Sequence, residues 1–146
     1  ERKEKEEEQR NEDEVMRARS LVSSAPYMAR KFEDEKARLN SRLLGAASRR
    51  DKEAEDARLA EEALRSFDAA TASRPNATGV QSRRARLEDT ARREAEEARA
   101  AETEYRRTES EVSKVLSRLT EQIKKFNSDL QKSESRIKAA SENGGG

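Results

Sequence analysis

Apolar residues recur along this chain at steps of three and four over two long stretches, with one short interruption between them. From Pro26 to about Thr71, Phe32, Leu39, Ala46, Ala60 and Phe67 fall on one heptad position, and Ala29, Leu43, Ala57 and Leu64 fall on the other. Arg50 and Glu53 also land on this seam, where a polar layer fixes alignment at some cost in stability. From Ser82 to about Asn143 the seam runs through Leu87, Ala91, Ala98, Ala101, Tyr105, Thr108, Val112, Val115, Leu119 and Phe126. It then drifts to Leu130 and Ile137. Neither proline nor glycine interrupts that second stretch before its end. Between the two stretches Pro75, Asn76 and Gly79 crowd together, and the segment 72–81 reads as a loop.

Two long amphipathic helices joined by a short loop predict an all-α fold, an elongated antiparallel coiled-coil hairpin. At about 1.5 Å per residue the first arm would reach roughly 70 Å and the second roughly 90 Å. The first arm carries a second punctuation mark at Ser23-Ser24-Ala25-Pro26-Tyr27. Proline is tolerated in a first helical turn but not in a helix interior, and Ser24 is well placed as an N-cap. The expectation is therefore a helix over 15–71 that breaks near 24, with Val15–Val22 folding along the longer second helix. Residues 1–14 carry eight acids, four bases and no apolar side chain, and read as a charged tail or frayed helix. The second helix is expected over 82–143. Residues 144–146, all glycine, read as a flexible tail and a linker remnant.

Composition sharpens this picture. Charged residues make up 43% of the chain, apolar residues 32%, and only three Phe and two Tyr are aromatic. Much of the apolar share is alanine, so a globular core could not offset a backbone entropy cost of roughly 1–2 kcal/mol per residue. A thin seam covered by another helix is the alternative for a sequence rich in helix formers. The Ala-rich middle of that seam buries little area, which adds a homodimer to the expectations.

With 32 basic and 31 acidic residues, the formal net charge of +1 gives no strong field. Arg83, Arg84 and Arg86 are interleaved with Glu88, Asp89, Glu94, Glu96 and Glu97, and no aromatic residue sits among them to stack on bases. Nucleic acid is therefore not expected as a partner. A membrane-curving role is disfavoured because neither arm is uniformly basic. No apolar run is long enough to form a transmembrane segment. The sequence contains neither Cys nor His, so disulfides, thiolate chemistry and the usual zinc sets are ruled out. Cysteine absence is compatible with a cytoplasmic location. Asn76-Ala77-Thr78 matches a glycosylation sequon, a short pattern that recurs by chance.

No catalytic, cofactor-binding or metal-binding constellation emerges. Carboxylates are abundant, but on a polar helix face no pocket tunes them. The reading is a non-enzymatic coiled-coil module, structural or scaffold-type, that binds a protein partner. Tyr105, Phe32, Phe67 and Phe126 are assigned to the seam, together with Leu39, Leu43, Leu64, Leu87, Val112, Val115 and Leu119. Tyr27, beside the expected break, either caps the seam or faces a partner, and the capping role is preferred.

The segment from Arg19 to Lys31, Arg-Ser-Leu-Val-Ser-Ser-Ala-Pro-Tyr-Met-Ala-Arg-Lys, resembles a signature of the Sab family. Its members are coiled-coil Src-homology-3-domain binders and exchange factors for the recycling-endosome Rab GTPase. Ser24, Pro26 and Tyr27 match the core of the family's Ser-x-Pro-Tyr motif, with Arg19, Leu21 and Lys31 around it. The likeness extends over roughly residues 19–133 and implies a Rab GTPase as partner, with membrane association through that partner. The family repeats the motif after its second long helix, whereas the matching region here reads Ser133-Glu134-Ser135-Arg136-Ile137. That departure implies a divergent member or about half of the exchange domain.

Overall fold

The computed structural model describes residues 1–144, which form two helices joined by a turn. Helix α1 spans Arg2–Thr71 and helix α2 spans Val80–Gly144. The two pack against each other as an all-α helical hairpin. The glycine tail expected at 144–146 begins at the last residue of α2 and otherwise lies outside the described residues. No helix among the described residues is long and apolar enough to cross a membrane.

The turn is a chain of short i,i+3 bonds. Arg74 N–H donates to the Thr71 carbonyl (2.9 Å), Ala77 to Arg74 (3.2 Å) and Val80 to Ala77 (3.1 Å). Gly79 takes the positive φ of 81° that lets the chain enter α2, a conformation glycine adopts without steric cost. Its carbonyl then accepts from Arg83 N–H at 3.0 Å, and the Gln81 side chain donates back to the Pro75 carbonyl at 3.0 Å.

The chain divides into two compact units, one of Leu39–Ser113 and one that joins Glu1–Arg38 to the chain from Lys114 onward. In the first of these, the pairs Arg42–Glu111 (2.5 Å) and Arg49–Glu104 (2.6 Å) descend α2 as they climb α1, which makes the packing antiparallel. Near the turn Arg84 forks onto Asp68 at 2.9 and 3.3 Å and also reaches Glu88 at 3.1 Å. Both contacts hold its guanidinium firmly protonated, Asp68 the more strongly. Exposed pairs of this kind each stabilise by only about 0.2–1 kcal/mol, so they serve alignment more than stability. In the other unit Phe32 meets Phe126 edge-on at 6.0 Å, and Glu14 pairs with Arg136, again antiparallel.

The seam of α2 follows strict alternation only part of the way. Residues 84, 87, 91, 94, 98, 101, 105 and 108 are buried or half-buried, after which the pattern steps by four twice, to Val112 and to Leu116. Such a four-four step is a stutter, which rotates the buried stripe by about one position. Val115, assigned to the seam on heptad spacing, is therefore 39% exposed, and Leu116 turns inward in its place. In α1 the same irregularity falls at Met28, Phe32 and Lys36. Ala29, counted on the seam, is accordingly exposed while Met28 is half-buried. Phe32, Val112 and Leu119 are buried, and Leu39, Leu43, Leu64, Phe67, Leu87, Tyr105 and Phe126 are half-buried.

A larger correction concerns Pro26. The expected break near Ser24 is absent, because α1 runs from Arg2 with Pro26 inside it. Residues 2–14 belong to that same helix instead of forming a separate tail. Pro26 has no N–H to give the Val22 carbonyl, a loss of about 3 kcal/mol relative to alanine. That cost is local, whereas seam residues on both sides of it, Ala18 and Phe32, are buried. Ser24 is not an N-cap. Its hydroxyl donates back to the Leu21 carbonyl at 2.7 Å, a bond available only inside a helix.

Candidate functional site

A continuous α1 decides where the motif residues point. Taking 100° per residue, Ala18, Ala25 and Phe32 share the inner stripe, and Met16, Ser20, Ser23 and Tyr27 lie on the opposite side. The burial pattern agrees. Ala18 and Phe32 are buried and Ala25 is half-buried, while Ser20 and Ser23 are exposed. Met16 is 70% exposed and Tyr27 69%. Tyr27 therefore does not cap the seam, contrary to the structural role its place beside Pro26 suggested. Pro26 is exposed next to it, whereas Ser24 is half-buried and turned to its own helix. The structure thus separates the three motif residues: Pro26 and Tyr27 are exposed, and the Ser24 hydroxyl is tied to its own helix backbone.

Arg17, Arg19, Arg30 and Lys31 surround this face, and all four are exposed. None pairs with a carboxylate within 4.0 Å among the described residues, although ion pairs are frequent elsewhere on the chain. Examples are Arg58 with Glu55 and Glu62, Arg106 with Glu102, and Lys124 with Glu121. Residues 15–32 contain no Asp or Glu, so Arg19 has no carboxylate at i±3 or i±4. Arg17, Arg30 and Lys31 have acids at that spacing just outside the run, at Asp13, Glu14 and Glu33–Glu35, and Glu14 pairs with Arg136 instead. Met16 was not singled out from the sequence. The signal for it was present in the 3.6-residue period measured from Phe32, once no break intervenes.

A second polar feature lies in the unit of Leu39–Ser113, where Arg50 and Glu53 were expected to form a polar seam layer. Arg50 is half-buried, with its guanidinium over the Tyr105 ring at 4.0 Å and Nε 3.1 Å from Asp51 and 3.9 Å from Glu102. The hydrogen bond to Asp51, ahead of the contact with Tyr105, keeps this arginine firmly protonated against partial burial. The Tyr105 hydroxyl donates to Glu109 at 3.0 Å, so the ring is fixed at both ends.

One helical turn further along, Glu53 and Asp56 of α1 approach Glu94 of α2, with carboxylate oxygens within 4.8 Å of one another. All three are half-buried. Desolvation raises the pKa of Glu94, and the nearby charges of Glu97, Asp56 and Glu53 raise it further against the opposing pull of Arg93. Three carboxylate oxygens could contribute part of the shell of a hard divalent cation, which takes six to eight oxygens. Without a cation the cluster is a patch of mutual repulsion in the seam. Open grooves line both units. One of about 450 Å³ is bounded by Arg17, Leu21, Asp129, Lys132 and Arg136. Another of about 550 Å³ is bounded by Arg42, Arg107, Thr108 and Glu111.

No family model matches the chain, and no curated protein or solved structure matches it either.

Proposed function

We propose that the chain is a non-enzymatic coiled-coil interaction module of scaffold type, working in the cytoplasm, whose outward face of α1 between Met16 and Lys31 receives a protein partner. The observation that carries this reading is the outward placement of Met16 and Tyr27, each about 70% exposed, on a basic stretch whose Arg and Lys side chains pair with no carboxylate among the described residues. An aromatic ring and a flexible thioether beside arginines are the side chains that protein interfaces favour. The test is a photo-crosslinking amino acid placed at Tyr27, and separately at the exposed position Arg65, in cells. A discrete adduct from position 27 and none from position 65 is expected. Equal labelling at both, or none at either, would remove the face from consideration.

A second reading is guanine-nucleotide exchange on a Rab GTPase of the recycling endosome. The exposure of Pro26 and Tyr27, two motif residues of the Sab resemblance, supports it. Exchange needs no catalytic residue. A partner that binds the nucleotide-free state more tightly than the nucleotide-bound state shifts the population toward release, by holding switch segments the nucleotide would otherwise order. Fluorescent GDP release from a panel of Rabs, with and without micromolar chain, tests this. Acceleration for one Rab, abolished by Tyr27→Ala, is expected; unchanged release together with no binding to nucleotide-free Rabs would exclude it.

A further inference from the structure

The outward face of α1 changes sign along its length. Residues 1–14 carry eight acids and four bases, a net charge of −4, and residues 15–32 carry four bases and no acid, a net charge of +4. From Arg2 onward both runs belong to one uninterrupted helix, and their outward residues are exposed except Asp13, which is half-buried. Two runs of equal and opposite charge placed end to end have a simple complement: a second copy of the same helix, reversed. Turned about a two-fold axis between the runs, each acidic run lies along the other copy's basic run.

We propose that two copies of the chain associate through the outward faces of their α1 helices, antiparallel, with the two-fold axis beside Met16. The proposal rests on the interaction-module reading and names the partner. At 100° per residue, Gln9, Glu12, Asp13, Met16, Ser20, Ser23 and Tyr27 occupy one side of the helix, with Arg19 and Arg17 on its two edges. In an antiparallel pair each edge meets the same edge of the other copy. Arg19 then faces Glu12 of the second copy, and Arg17 faces Asp13. Arg30 falls opposite Glu1. Met16 meets its own counterpart on the axis, and Tyr27 lies over Lys5 of the second copy, a placement suited to a cation–π contact.

A parallel pairing would set acid against acid and base against base along the whole face, so charge selects the antiparallel form. An anionic membrane is a poorer fit, because the acids at Glu12, Asp13, Glu33 and Asp34 adjoin the basic run on the same helix. Each copy contributes only two large apolar anchors, so the association is chiefly electrostatic and weakens with salt.

The test uses the full chain. Sedimentation equilibrium is expected to show a monomer–dimer equilibrium at low salt, weakened at least about tenfold between 50 and 500 mM NaCl as the charges are screened. The chain has no cysteine, so single cysteines report geometry cleanly. Met16→Cys is expected to form a disulfide-linked dimer under mild oxidation. Tyr27→Cys should not link to itself but should link to Lys5→Cys when the two are mixed. Leu44→Cys, at a position as exposed as Met16, is expected to stay monomeric. A monomer at every salt and concentration would overturn the proposal. So would Tyr27→Cys or Leu44→Cys self-linking as fast as Met16→Cys. If the position-27 photo-adduct is a different protein and the chain stays monomeric, the docking face survives and the second copy fails; no adduct and no dimer removes both.

Discussion

Val112 and Val115 lie within one turn of α2 and allow the stutter to be tested with the same substitution at each. Strict heptad spacing buries both, whereas the structure leaves Val112 1% exposed and Val115 39% exposed. Val→Ala removes two carbons, and at about 0.8 kcal/mol per buried carbon the transfer loss is roughly 1.6 kcal/mol at Val112 and about 1 at Val115. Val112 also leaves a gap of about 50 Å³, which adds about 1 kcal/mol at 24 cal/mol per Å³, whereas solvent fills the space at Val115. Alanine's better helix propensity returns about 0.5 kcal/mol at each site and cancels in the comparison. The net expectation is about 2 kcal/mol lost for Val112→Ala and about 0.5 for Val115→Ala. Urea titration followed by helical circular dichroism measures both on the same scale. Equal losses, or a larger loss at Val115, would refute the stutter and restore the simple heptad.

Pro26→Ala is expected to stabilise the helix by up to about 3 kcal/mol, seen as a higher melting temperature; a lower one would mean that the ring makes contacts that outweigh its missing N–H. The two internal glycines should respond in opposite directions, since an added Cβ meets no atom within 4 Å at either. Gly45→Ala, in mid-helix, should gain about 0.5–1 kcal/mol, and Gly79→Ala, at φ 81°, should lose about 1–2. Glu94→Gln should raise the melting temperature at pH 7. A carboxyl whose folded pKa is raised takes up its proton in the folded chain before the unfolded one, so its repulsive contribution is lost as pH falls toward the ordinary carboxylate range. As pH falls from 7 toward the ordinary carboxylate range, the melting temperature of the wild-type chain should therefore gain on that of Glu94→Gln and close the gap between them, and parallel profiles would contradict the assignment. Glu55 works in the opposite direction. Its bond from Arg58 lowers its pKa, and that stabilising contribution fades only at more acidic pH.

The helix pair was legible because its signals are periodic and long. Leu87, Ala91, Ala98, Ala101, Tyr105, Thr108 and Val112 keep one phase over several turns. Pro75, Asn76 and Gly79 gather the turn residues in one place. Two features were not legible, for physical reasons. A stutter costs no residue any special chemistry, so counting by sevens carries past Val112 to Val115 with nothing to stop it. Pro26 is the reverse case, a strong local signal outweighed by burial on both sides of it at Ala18 and Phe32. The candidate face was lost with it, because a break at Ser24 removes the helical phase that sets Met16 and Tyr27 on one side. Among the surface pairs, Glu61–Arg65 and Glu102–Arg106 were readable at i,i+4 spacing. Arg92, however, pairs with Asp89 at i−3, 3.7 Å away, although Glu88 stands at i−4, a choice between near-equal neighbours that spacing does not decide.

The buried apolar residues among those described are Ala18, Phe32, Ala91, Ala101, Val112 and Leu119, half of them alanine. Heat capacity of unfolding rises with apolar area exposed, at about 0.45 cal/mol/K per Å², and that of the polar backbone partly cancels it. A seam this sparing in apolar area gives a small heat-capacity change and a shallow stability curve. The chain should therefore resist cold denaturation, melt over a broad temperature range, and hold nearly constant stability across the temperatures at which cells live.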